Sequence, residues 1–138
     1  MSRAHVREVD GDEPEDLPEL PLSAHPNYVT ARGLALLESR RDAVEAGVAA
    51  IATDAADRRQ RRAALDRELR WLNARIAAAQ RVSNAARDTT KVAFGAEVTI
   101  ADEDRAEFRY RIVGEDEAEP DAGLISWTSP LARALVNP

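Results

Sequence analysis

The chain has 138 residues, no cysteine and a formal net charge of −6. That length allows one small domain or two compact subdomains, and the lack of cysteine excludes a disulfide framework or a thiolate metal site. No stretch has a signal-peptide core or an apolar run of about 18 residues, so a cytoplasmic location is expected.

The charge is segregated along the chain. Up to Pro21 there are seven acids against Arg3 and Arg7; from Leu22 to Lys91 thirteen bases face eight acids; the remainder has ten acids against four bases. A basic middle between acidic ends suits one surface that faces nucleic acid or an acidic channel, and others that face basic protein. Aromatic residues make up only 4%. The helical part is therefore expected to have a thin, closely approached core.

Residues 1–27 form an acidic tail in which Glu8, Asp10, Asp12, Glu13, Glu15, Asp16 and Glu19 alternate with Pro14, Pro18 and Pro21. Few of its side chains can bury enough area to offset the entropy of ordering, so residues 1 to about 25 are expected to be disordered. Two roles fit: a solubilising leader, or a docking or autoinhibitory tail that folds back on the basic middle. His5 and His25 are too isolated to suggest a metal ligand or a general base.

Residues 28–81 read as an antiparallel coiled-coil arm. Thr30 is an N-cap candidate, and Leu34, Leu37, Val44, Val48 and Ile51 recur at helical spacing, with Arg41 the one interruption. Gly47 weakens this helix by about 1 kcal/mol relative to Ala without ending it. The return stripe is Leu65, Leu69, Leu72, Ile76 and Ala79. Two narrow stripes joined by a few residues make a helical hairpin with legs of roughly 35 Å.

Between the stripes lie Asp54 and Asp57. If the second helix starts here, acids three apart share one face with Cβ atoms about 5–6 Å apart, and both carboxylates point out of the tip. Such a pair can share one divalent cation such as Mg²⁺, which takes hard oxygen ligands and keeps several waters. A capping reading fits the same residues, with Thr53 or Asp54 as N-cap and a following acid complementing the helix dipole. Below the tip, Arg58, Arg59, Arg61, Arg62, Arg67, Arg70 and Arg75 crowd one helix. They make either a solvated face or a nucleic-acid-facing stripe, since Arg contacts phosphate with bidentate geometry.

Residues 82–91 lack periodicity and read as a linker; from 92 to 138 the period becomes two. Val92 and Phe94, then Val98 and Ile100, then Phe108, Tyr110 and Ile112 alternate with polar residues around turns at Gly95 and at Asp102-Glu103-Asp104. An acidic loop from Gly114 to Gly123 leads to the apolar run Leu124-Ile125-Ser126-Trp127. Ser129 and Pro130 then start a short helix as cap and first residue. The expected fold class is α+β: a helical hairpin followed by a small antiparallel sheet with one short helix. Trp71 is expected to pack between arm and C-terminal domain, and Trp127 to lie in the sheet core or at its rim.

Val92-Ala93-Phe94-Gly95, the segment Tyr110–Ala118 and the segment Leu124–Leu135 resemble the C-terminal domain of the bacterial Gre transcript-cleavage factors. Thr30-Ala31-Arg32-Gly33 and Ala79-Gln80 resemble the two ends of that family's coiled coil, so the likeness covers about residues 28–138. It implies an FKBP-like C-terminal domain that docks on the rim of the secondary channel of RNA polymerase while the coiled coil points inward. It implies no cofactor of the protein's own, and tip acids that help hold a Mg²⁺ shared with the polymerase active site, where backtracked RNA is cleaved. By this resemblance Asp54 and Asp57 are the tip acids, serving as catalytic assistants and metal ligands only in complex with polymerase. Glu115, Asp116, Glu117, Ser129, Pro130 and Arg133 are then the docking residues on core RNA polymerase, and the nascent RNA 3′ end is a further partner if Arg58, Arg59, Arg61 and Arg62 face nucleic acid rather than solvent.

Three departures accompany the resemblance. The arm is shorter by about eight residues per leg, which withdraws its tip by about 12 Å. The Asp54-Ala55-Ala56-Asp57-Arg58 tip looks like that of DksA, a secondary-channel regulator that does not cleave RNA, although DksA's zinc site is impossible without cysteine. Gre factors usually continue for about twenty residues past the position of Pro138, so closing strands are expected to be lacking. The alternatives to a cleavage-stimulating factor are thus a non-cleaving channel occupant, or an interaction or dimerisation module that does not engage polymerase. An independent hydrolase has no support, because there is no clustered His, nucleophile elbow or phosphate loop.

Overall fold

The structure, a computed structural model, describes residues 17–83 and 88–137. Its first half is the expected hairpin. The two-residue strand β1 (Tyr28–Val29) leads into helix α1 (Ala31–Ala49), helix α2 (Arg58–Ala78) returns, and β2 (Gln80–Arg81) ends the unit. Thr30 is the N-cap of α1, its Oγ1 accepting from the Gly33 N–H at 2.9 Å. Leu37, Val44 and Leu72 are buried with Val29, and Leu34, Leu65, Leu69, Ile76 and Ala79 pack against them. Gly47 lets the legs approach, since a Cβ there would already touch Leu65 Cδ1 at 3.5 Å.

The second helix begins later than either tip reading requires. Its N-cap is Asp57, whose side chain makes no capping bond, and residues 51–57 are bends and turns. Ala55 N–H bonds Ala52 O and Arg58 N–H bonds Ala55 O, each at 3.2 Å. The physical reason is reversal: a helix continuing from Asp54 would carry the chain away from α1 before α2 could return along it. Thr53 and Asp54 therefore do not cap α2.

β1 and β2 pair in parallel, Tyr28 with Gln80 and Val29 with Arg81, which cinches the two feet of the hairpin together. The second half has strands β3 (Glu97–Ala101), β4 (Glu107–Val113) and β5 (Leu124–Ser126), then helix α3 (Pro130–Val136). β3 and β4 are antiparallel, as expected, and β5 adds to β4 in parallel, so the sheet is mixed. Two 3₁₀ turns, Glu115–Glu117 and Pro120–Ala122, followed by Gly123 at φ 79°, make the crossover. Ile112, Ile125 and Ala132 form the core, with Val92, Tyr110, Trp127 and Leu135 against them. Val92 and Phe94 are not a strand. Gly95 at φ 85° turns the chain just after them, and they serve as packing residues instead.

Two carboxylate clusters weld the halves. Arg75, only 4% exposed, reaches Asn27 Oδ1 at 2.8 Å and Asp116 Oδ2 at 2.7 Å, while Asn27 Nδ2 donates to the Arg75 carbonyl at 2.7 Å. Beside it, Glu117 is buried and accepts from Thr30 Oγ1 at 2.5 Å and from Arg32 Nη1 at 3.0 Å. Gly33 and Gly114 carry no Cβ where one would crowd Glu117 and the Tyr28 carbonyl respectively. An aromatic group completes the seam: Tyr28 lies 5.0 Å from Trp127 and 6.1 Å from Phe94, and His25 lies 5.6 Å from Trp127.

Residues 17–25 are the clearest departure from the expected disordered tail, because they are laid against α2; residues 1–16 lie outside the described set. Trp71 accordingly packs toward this segment rather than toward the C-terminal domain, its Nε1 donating to the Pro21 carbonyl at 3.0 Å.

Replacing Arg75 by Met should lower stability by about 3 kcal/mol, since it strands the Asp116 and Asn27 groups. Chemical denaturation checks this. Across the arm, Arg40 binds Glu68 through two bonds of 2.6 and 2.8 Å, and these hold the Glu68 carboxyl below its ordinary 4.5 despite burial that pushes it up. A lowered carboxyl stabilises the fold above that ordinary value and stops doing so as pH falls through the lowered one. The stability difference between the native chain and Glu68→Gln should therefore be largest at neutral pH and shrink well below 4.5.

Candidate functional site

The tip is the outer end of the hairpin, formed by residues 50–57 and the first turn of α2. Asp54 is exposed in the turn and Asp57 is exposed at the helix start. Because Asp54 lies outside the helix, the two acids do not share a helical face as the three-residue spacing implied. Asp57 also faces a base of its own, with Oδ1 3.7 Å from Arg61 Nη1. Among the described residues no group of three or more potential metal-ligating side chains occurs.

Arginine surrounds these acids. Arg59, Arg61 and Arg62 are exposed and Arg58 is half-buried; Arg58 and Arg59 line, with Thr53, Ala55 and Ala56, a hollow of about 300 Å³. Arg62 pairs with Asp66 at 3.5 Å in the next turn. The seven arginines of α2 do not act as one face. Arg59, Arg61 and Arg62 are exposed near the tip beside the half-buried Arg58, Arg67 and Arg70 meet the N-terminal segment, and Arg75 is buried at the foot.

The expected docking residues divide similarly. Glu117 is buried on the hairpin and is not an exposed docking group; Glu115 is half-buried and Asp116 is tied to Arg75. Ser129 caps α3, its Oγ accepting from the Ala132 N–H at 3.2 Å. Pro130 and Arg133 remain exposed beside it on α3.

The residues that sequence reasoning missed are Asn27 and Arg75, which set the angle between arm and domain. A signal existed for Arg75. It stands three residues after Leu72 and four before Ala79, on the buried side of α2, where an arginine needs a partner. Nothing comparable marked Asn27.

Residues 87–138 match the family model described as transcription elongation factor, GreA/GreB, C-term. The chain is 46% identical over 74 residues to transcription elongation factor GreB of Xanthomonas axonopodis pv. citri, an alignment that covers 53% of this chain and 44% of that protein. It is 44% identical over 85 residues to GreA of Syntrophotalea carbinolica, covering 61% of this chain and 52% of that protein. The chain thus spans about half the length of these curated relatives. Among solved structures, GreA factor homolog 1 (Gfh1) of Thermus thermophilus aligns with a TM-score of 0.38 at 16% identity, covering 81% of this chain and 83% of that one. Through its C-terminal segment, residues 87–138, the chain is similar to the GreA/GreB transcription elongation factors.

Proposed function

We propose that the protein is an elongation regulator that binds core RNA polymerase at its secondary channel and occupies the channel with its arm, without completing a metal site. The exposed α3 end, with Pro130 and Arg133, docks, and the arm carries Arg58, Arg59, Arg61 and Arg62 inward toward phosphate. The observation that carries this reading is the fixed seam at Arg75 and Glu117, which makes arm and domain one rigid lever. A lever whose base is welded presents its tip at one distance and one angle. Channel entry requires both.

Occupancy is favoured over cleavage stimulation by the chemistry of the tip. The legs of 19 and 21 residues are about 28 and 32 Å long at 1.5 Å per residue. They end in two acids that no helix aligns, one of them facing Arg61. The arginines there repel a cation and attract phosphate. Stimulated cleavage is the second reading, favoured by the exposure of both Asp54 and Asp57, and in it they supply oxygen ligands to a Mg²⁺ that polymerase holds by its own residues.

Two measurements separate these readings from each other and from a non-engaging module. Purified chain should retain core RNA polymerase in a pull-down at low salt, and Arg58→Glu with Arg59→Glu should weaken retention about tenfold; no retention at low salt refutes the proposal. In stalled elongation complexes the Asp54→Asn, Asp57→Asn variant should leave the RNA cleavage pattern unchanged. If native chain generates cleavage products that this variant does not, the second reading replaces the first.

A further inference from the structure

The two edges of the β3–β4–β5 sheet are finished differently. At β5 the chain covers its own edge: the Glu119 N–H donates to the Leu124 carbonyl at 2.7 Å, and the Glu119 carbonyl accepts from the Leu124 N–H at 3.1 Å. At β3, among the described residues, nothing pairs with the outer side. Which backbone groups stand open there follows from the ladder. Ile112 N–H donates to the Ala96 carbonyl at 3.0 Å and Asp102 N–H to the Ala106 carbonyl at 2.9 Å. Between these two bonds antiparallel pairing alternates, so Val98 and Ile100 direct their N–H and C=O at Tyr110 and Phe108, while Glu97, Thr99 and Ala101 direct theirs outward.

The side chains divide in the same way. Glu97, Thr99 and Ala101 are exposed on one face, where Glu97 pairs with Arg111 at 3.2 Å. Val98 and Ile100 share the other face with Phe108, Tyr110 and Ile112. The core under α3 takes in Ile112, Ile125 and Tyr110, but Phe108 lies outside it and is 46% exposed. β3 also lacks the usual protections of an open strand. It contains no Lys, no Pro and no charge on its apolar face, and the bulge at which Gly95 and Ala96 both bond Ile112 sits ahead of it.

We infer that β3 is a dimer edge: two copies of this chain join their β3 strands antiparallel about a two-fold axis at Thr99, making one continuous sheet of two three-stranded ones. An isologous contact asks of the partner only what β3 already carries, provided that one register is self-complementary. This strand has such a register. With Thr99 opposite Thr99 of the second copy, Glu97 faces Ala101 and Val98 faces Ile100, so no like charges meet and every outward N–H and C=O of the strand is paired. Phe108, Ile100 and the second copy's Val98 and Tyr110 then form one apolar row across the junction. Sliding the copies by two residues one way runs the ladder into the Gly95–Ala96 bulge, and sliding them the other way sets Glu97 opposite Glu103. A ladder of five residues buries too little for an obligate dimer, so the contact is a weak and reversible one, half-formed on the order of 10–100 µM. It uses nothing of the arm, and the inference does not rest on the function proposed above.

Sedimentation of the full chain tests it. From about 5 to 500 µM the mass should rise from that of one chain, 15.1 kDa, toward twice that value. A constant monomer mass overturns the dimer. Over the same range amide exchange should slow about threefold at Glu97, Thr99 and Ala101 and stay unchanged at Val98 and Ile100, which already bond β4; no slowing at the three outward residues overturns the edge. Thr99→Pro removes an outward N–H without breaking the β3–β4 ladder, a position where proline is tolerated, and should weaken association more than about tenfold. Thr99→Lys and Thr99→Glu, on a side chain that is exposed, each set like charges at the two-fold axis; each alone should associate about fivefold more weakly, and an equal mixture of the two should recover the dimer. A dimer that survives all three substitutions, or a loss in both charged variants that mixing does not reverse, overturns the register.

Discussion

The structure depends on a buried arginine. Arg75 stands at the foot of α2, where it is held by Asn27 on one side and by the acidic 3₁₀ turn on the other. Taking a guanidinium out of water is costly unless every donor direction is met, so the groups that meet it cannot drift. Through this residue the hairpin and the sheet domain share a single orientation. Glu117 repeats the device nearby: Thr30 Oγ1 donates to it while accepting from Gly33, so the cap of α1 and the domain contact are one hydrogen-bond chain.

Much of the architecture was legible because it rests on local rules. The stripes from Leu34 and from Leu65 give two helices whose only partner of matching length is each other, and Thr30 and Ser129 cap the helices they were expected to cap. What was not legible depends on tertiary competition. The spacing of Asp54 and Asp57 implies a shared face only inside a helix, and chain reversal takes Asp54 out of one. Glu115, Asp116 and Glu117 look like a solvated acidic loop until Arg75 and Arg32, distant in sequence, are placed beside them. Val92 and Phe94 alternate like strand residues, yet Gly95 ends the alternation before a ladder can form.

The same competition explains residues 17–25. By composition they cannot form a core, and they do not: they lean on the arm, with Leu20 and Pro21 bordering the same hollow as Leu65 and Trp71 and the Pro21 carbonyl accepting from Trp71. Compositional arguments for disorder assume that a segment must bury its own surface. A neighbouring helix whose Trp71, Arg67 and Arg70 take their partners from the segment removes that assumption. Glu19 shows the result, its carboxyl held below the usual 4.5 by the hydrogen bonds from Arg70.

Charge segregation therefore has two distinct meanings in one chain. At the foot of the arm the opposite charges are buried, few and geometrically exact in their pairing, and they fix an angle. Along the outer arm the pairs Asp57–Arg61 and Arg62–Asp66 are exposed and local, four residues apart on one element, and they fix no angle between elements. If the foot were held by exposed pairs, salt would let the arm swing. Fold alone does not impose this division, since the same hairpin could be built with an apolar foot and a neutral arm. The placement of Arg75 at the foot and of Arg58, Arg59, Arg61 and Arg62 toward the tip imposes it, and that placement is what turns a helical hairpin into a device for presenting a charged tip at a set distance.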